Sequence, residues 1–301
     1  MKRYQKIFSM ALSILFILGP ICLPKAYANG PIKVFVSIAP QKYFVKQIAE
    51  DLVDAQVMVE PGASPATYEP KPQQMKDISK TSLYFAIGVP FEKRWLPKIM
   101  STNPEMKIIP TDQGTQKIPM SVHHHGKDEG SEKEVQHEHE NLDPHIWLSP
   151  PYVILQARQI LVALQETDPG HRLEYENNYK RFIQEIIGLD KELRDLFQDK
   201  QGLQFMVFHP SWGYFAQAYG LKQLPIEIEG KEPKPARLRE IIKHARENNI
   251  KIILVQPQFS AKSARQLAKE INGIVVFADP LAENWTANLR KQSEVIREAL
   301  R

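Results

Sequence analysis

Short apolar runs alternate with amphipathic stretches twice along this chain, before and after a long block of helical spacing. Ile32–Ile38 (IKVFVSI) has the apolar, β-branched character of a strand. Ala39–Asp51 then has helical spacing through Tyr43, Val45, Ile48 and Ala49. Val53–Val59 and Leu83–Gly88 are further strands, Met106–Ile109 is a weaker one, and Lys71–Lys80 is a short helix starting near Pro72. The second half repeats the order. Strands are expected at Leu203–Phe208, Leu224–Ile228, Ile250–Val255 and Ile274–Ala278, with helices at Ser211–Tyr219, Pro235–Asn248, Ser260–Glu270 and Asn284–Leu300. Strands that alternate with helices give a mostly parallel sheet flanked by helices, so the fold class is α/β with two lobes.

The block between the lobes is the most helical part. Ser149 and the two prolines after it fit a helix start, and that helix runs to about Thr167. Asp168-Pro169-Gly170 breaks it, and a second helix runs from about Arg172 to Asp199. Its apolar positions, among them Tyr175, Tyr179, Phe182, Ile186, Leu193 and Phe197, fall mostly on one face. A helix of that length is a rigid spacer. The expected organisation is a signal segment over 1–28, an N-terminal lobe over 29–168, a linking helix over 169–199 and a C-terminal lobe over 200–301.

The signal segment rests on a basic start (Lys2, Arg3, Lys6), an apolar run from Ile7 to Leu23, and small residues at Ala26 and Ala28. Bulky Ile21 before Cys22 does not suit a lipid-attachment site. Without that segment the chain has 35 basic and 35 acidic residues, which argues against nucleic-acid binding. Cys22 is the sole cysteine. A mature chain without thiols has no disulfide and no thiolate ligand, so any metal falls to His, Asp or Glu.

Six of the nine histidines lie between residues 123 and 145. His123, His124, His125, His137 and His139 sit in an acidic stretch over 121–140 that has no apolar periodicity. It is expected to be a solvated loop that captures metal weakly. Three residues outside it stand at sharper positions. His145 lies in Asp143-Pro144-His145-Ile146-Trp147, between the loop and the next helix. His209 directly follows the strand LQFMVF, and Asp279 directly follows IVVFA. Residues just beyond the carboxyl ends of parallel strands line the ligand crevice. Each has an ordinary alternative: a helix cap for Asp279, a polar loop residue for His145, a buried imidazole for His209.

Several motifs in order give the chain a resemblance to the periplasmic zinc- and manganese-uptake solute-binding proteins of ABC transporters, the ZnuA/TroA-like group. They are Pro61-Gly62-Ala63-Ser64-Pro65 with Tyr68-Glu69-Pro70, the His-rich acidic loop, DPHIWLSP at 143–150, FHPSWGYFA at 208–216, YGLKQ at 219–223, VQPQFS at 255–260 and ADPL at 278–281. The resemblance implies two Rossmann-like lobes joined by one long helix, a metal cleft between them, and delivery to a membrane permease. It places the metal ligands on His145, His209 and Asp279. The transported ion is then zinc, with manganese or iron(II) as the alternative, and the protein is a non-enzymatic, extracytoplasmic monomer.

One position departs from the pattern. Ala66 stands where the group usually has histidine. The fourth position is left to water or to a loop histidine. Glu69 is expected to hydrogen-bond its own turn, and Glu227 and Glu229 read as strand-end and surface charges. A secreted zinc hydrolase is the rival from another class, but no HExxH, GxSxG or Walker A pattern occurs. An adhesin-like surface protein finds no support in repeats or in the Cys22 region.

Overall fold

A computed structural model describes residues 30–120, 142–227 and 233–300. The expected signal segment, the five loop histidines and Glu229 lie outside the described residues. Two four-stranded sheets, both wholly parallel, account for the two lobes. The first has the order β2-β1-β3-β4, with β1 at Ile32–Val36, β2 at Val53–Val57, β3 at Leu83–Ala86 and β4 at Lys107–Pro110. The second has the order β6-β5-β7-β8, with β5 at Gln204–Val207, β6 at Lys222–Pro225, β7 at Ile252–Val255 and β8 at Ile274–Phe277. In each sheet the chain reverses its direction of travel beside the first strand, between β1 and β3 and between β5 and β7. Ligand crevices open at such points.

Helices α1 (Ala39–Ala49), α2 (Pro72–Ile78) and α3 (Pro90–Thr102) belong to the first lobe. Helices α6 (Gly213–Ala218), α7 (Pro235–Glu247) and α8 (Lys262–Glu270) belong to the second. Helix α3 has no counterpart in the sequence reading, because Pro97 inside it interrupts the apolar pattern. Strand β6 begins two residues before the expected run. Its ladder with β5 starts at Gln204↔Lys222 and reaches Val207↔Pro225, and the Ile226 and Glu227 N–H groups carry the pairing on to the Val207 and Phe208 carbonyls.

Between the lobes run α4 (Pro150–Thr167) and α5 (Arg172–Phe197). The 26 residues of α5 span about 39 Å. Its buried positions Tyr175, Asn178, Phe182, Ile186, Leu189, Leu193 and Phe197 repeat every three or four residues and form a single stripe. Near one end Phe182 packs on Phe44 of the first lobe, ring centres 5.9 Å apart. At the other end Phe197 meets Phe215 of the second lobe edge-on at 5.6 Å. Strand β5 explains how one core reaches both lobes. Alternate side chains point to opposite faces, so Phe205 and Val207 join the main core while Met206 and Phe208 join a separate cluster under α7 and α8.

The linking helix is not the sole tie. The final helix α9 (Trp285–Ala299) returns to the first lobe. Trp285 meets Phe44 edge-on at 5.3 Å and donates its indole N–H to the Trp147 carbonyl at 2.7 Å. The Tyr43 hydroxyl lies 3.0 Å from Thr286 Oγ1 and also donates to Glu185 at 3.2 Å. Substituting Tyr43→Phe removes these bonds while keeping the ring. The expected cost is about 0.5–1.5 kcal/mol, read as a lower midpoint in denaturant at unchanged slope. Several ties across the lobes oppose a wide hinge motion.

Candidate metal centre

His145 precedes a turn of 3-10 helix at Ile146–Leu148 and is 8% exposed. The Asp143 carboxylate accepts both its backbone N–H, at 2.9 Å, and its ring Nδ1, at 2.6 Å. A carboxylate only accepts, so the imidazole proton sits on Nδ1 and Nε2 keeps its lone pair. Asp143 is itself fixed: its amide donates to the Ile118 carbonyl at 2.9 Å and its carbonyl accepts the Tyr214 hydroxyl at 2.8 Å. Gly213 makes room for this carboxylate, since a Cβ there would lie 2.7 Å from Asp143 Oδ2. Burial, with a smaller contribution from His209, outweighs Asp143 and holds the His145 pKa below its ordinary value of 6.5. The neutral, ligating form is therefore favoured further into acid.

His209 follows β5 at the point where the second sheet reverses. Gln256, beyond the end of β7, clamps its backbone: Nε2 donates to the His209 carbonyl at 2.7 Å and Oε1 accepts the His209 N–H at 3.3 Å. Ring Nδ1 lies 2.5 Å from Glu227 Oε1, so this imidazole too presents Nε2. Phe259 stacks on it, ring centres 5.1 Å apart and planes 25° from parallel. Glu227 does follow the end of β6, but at 3% exposure it is buried against His209 instead of standing as a free charge. The chain beyond β6 carries it inward as a continuation of the sheet, with its N–H bonded to the Phe208 carbonyl at 3.1 Å. Its sequence neighbours give no hint of this contact with His209.

The two imidazoles line one cavity of about 70 Å³ between the lobes, together with Ala66, Trp147, Phe259 and Leu281. Their ring centres are 5.3 Å apart. Two imidazoles bound through nitrogen to one tetrahedral zinc, at about 2.0–2.1 Å, have their centres about 5 Å apart. Asp279 stands nearby in sequence terms: Pro280 and Leu281 line the cavity. Its Oδ1 accepts the Leu281 N–H at 2.9 Å and the Gln258 side chain at 3.2 Å, as in an Asx turn. Among the described residues no group of three or more His, Cys, Asp or Glu side chains is gathered for a metal. The structure thus joins His145 to His209 and leaves Asp279 engaged with its own turn. Glu69 is exposed and pairs with Arg94 at 3.4 Å rather than with its loop.

Two parallel-sheet lobes with one histidine pair in the cavity between them define a two-lobed binding protein. The chain belongs to the ZnuA family, zinc-uptake complex component A, periplasmic, whose model matches residues 34–299. It is 29% identical over 242 residues to the high-affinity zinc uptake system protein ZnuA of Bacillus subtilis, covering 79% of this chain and 75% of that one. It is 25% identical to the zinc-binding lipoprotein AdcA of Streptococcus pneumoniae, with 98% of this chain covered, and it spans 61% of that relative's length. Among solved structures, a crystal structure of ZnuA matches with a TM-score of 0.82 and 40% identity, covering 90% of this chain and all of the other. A zinc-bound ZnuA deletion mutant matches at 0.80, also at 40% identity, covering 90% of this chain and 98% of that one.

Proposed function

We propose that this protein captures zinc outside the cytoplasm and delivers it to the permease of an ABC transporter. The observation that carries the reading is the histidine pair: two imidazoles, each with Nδ1 held by a buried carboxylate, at the spacing of a shared zinc. His145 and His209 are the primary ligands. Asp279 joins them when its carboxylate turns from Gln258 and the Leu281 amide towards the cleft. Imidazole donors suit zinc better than manganese or iron(II), which prefer sites richer in oxygen. The ion is cargo, so the chain acts as a carrier and works as a monomer. The zinc-uptake names of its relatives and its family support the same reading. Among the described residues no helix is long and apolar enough to cross a membrane.

A zinc titration of the chain lacking residues 1–28, followed by competition with a chromophoric chelator, tests this directly. One tight ion per chain is expected, and no tight zinc would refute the proposal. The histidines over 121–140 are proposed as weak auxiliary sites, because ordering a polar segment around an ion costs conformational entropy. Deleting 121–140 should lower the number of weakly held ions and keep the tight one. Loss of the tight site on deletion would make a histidine of that segment a ligand.

A further inference from the structure

Asp143 and Glu227 do more than the ligand geometry requires. Both are buried, at 0% and 3% exposure, and each backs one imidazole of the cavity-lining pair. Each spends one oxygen on an imidazole Nδ1. The second oxygens, Asp143 Oδ2 and Glu227 Oε2, are buried without a hydrogen-bond partner among the described residues. Their ion-pair partners among the described residues are the two histidines, with no Lys or Arg. Two buried carboxylates whose ionic partners are imidazoles rather than Lys or Arg put negative charge behind the cavity wall, and burying charge without a full counter-charge is unfavourable. A divalent cation held between the imidazoles offsets that charge through the rings.

We infer that Asp143 and Glu227 are the counter-anions of the captured ion: positioning residues that select its double charge without touching it. The inference rests on the zinc-capture reading above. It gives the site a division of labour. The imidazoles set ligand type, and the carboxylates behind them set charge. The arrangement also sets ion capture against the stability of the ion-free chain, since the same buried anions that attract the ion disfavour the fold without it.

Glu227→Gln separates charge from geometry, because the amide oxygen can still accept the Nδ1 proton of His209. Zinc affinity should fall by about 10–100-fold, the range for outer partners of metal-bound histidine. Silver(I), a singly charged probe for the same imidazoles, should lose much less. The melting temperature of the metal-free variant should equal or exceed that of the unmodified chain. Asp143→Asn should behave alike, which covers failure of either variant to fold. Zinc and silver affinities falling by equal factors, or zinc affinity and metal-free melting temperature falling together, would show a merely structural role and overturn the inference. Zinc affinity within twofold of the unmodified chain would overturn it too. Failure of the unmodified chain to bind zinc tightly would be a distinct result, removing the capture reading and this inference with it.

Discussion

Zinc affinity of the His209→Ala protein is expected to fall by more than the roughly 100-fold that loss of an outer partner can cost, with the fold retained. Among the described residues His209 supplies one of the two imidazoles that meet in the cavity, and no other described side chain in its walls can replace a ring nitrogen. Truncation also strips Glu227 Oε1 of its hydrogen-bond partner and removes the ring on which Phe259 stacks. Those losses act on the cleft rather than on the core. The side chain is 22% exposed, and the backbone clamp by Gln256 uses main-chain atoms that alanine keeps. Circular dichroism should therefore be unchanged while competition with a chromophoric chelator reports the loss. Equal zinc affinity in the variant and the unmodified chain would remove His209 from the ligand set.

The architecture was legible because its signal is periodic. Runs such as Phe205–Phe208 and Ile252–Val255 are apolar on both faces, as strands buried on both sides must be. The stripe on α5 was equally plain. Strand-end logic brings His209 to the cavity wall, because its backbone directly follows β5. It was less informative for Asp279, because a strand end locates a backbone and not a carboxylate, and the Asx turn to Leu281 competes for that side chain. Glu227 was hidden for a different reason. Its burial depends on where β6 pairs with β5, and the ladder's start at Lys222 sits two residues earlier than the apolar run suggests. Asp143 belongs to the DPH motif, yet its bond to His145 Nδ1 is set by the Pro144 turn and by the space at Gly213, 70 residues away in sequence. Contacts of that range leave no local pattern.

Ala66→His should raise zinc affinity by about tenfold or more. Ala66 lies on the exposed wall of the cavity shared by His145 and His209. Its turn is held by main-chain and short side-chain bonds: Thr67 N–H to the Ser64 carbonyl at 3.1 Å, Ala66 N–H to Ser64 Oγ at 3.3 Å, and Phe91 N–H to the Pro65 carbonyl at 3.0 Å. None uses the Ala66 side chain, and an exposed position has no core to disturb, so the substitution adds a donor without displacing structure. Zinc sites with four protein ligands have apparent binding energies of about 10–16 kcal/mol, or about 3 kcal/mol per ligand. Ordering one imidazole costs on the order of 1 kcal/mol, which leaves a gain of at least about tenfold. Preference for zinc over manganese should sharpen as well, because the added donor is nitrogen. Unchanged or weaker binding would mean that another side chain already completes the set. Glu69 is then the weaker suspect, since it pairs with Arg94 on the surface, and a histidine of 121–140 the stronger. Zinc X-ray absorption of the unmodified chain separates these cases: two imidazole scatterers are expected, and three would identify a histidine from that segment as a ligand.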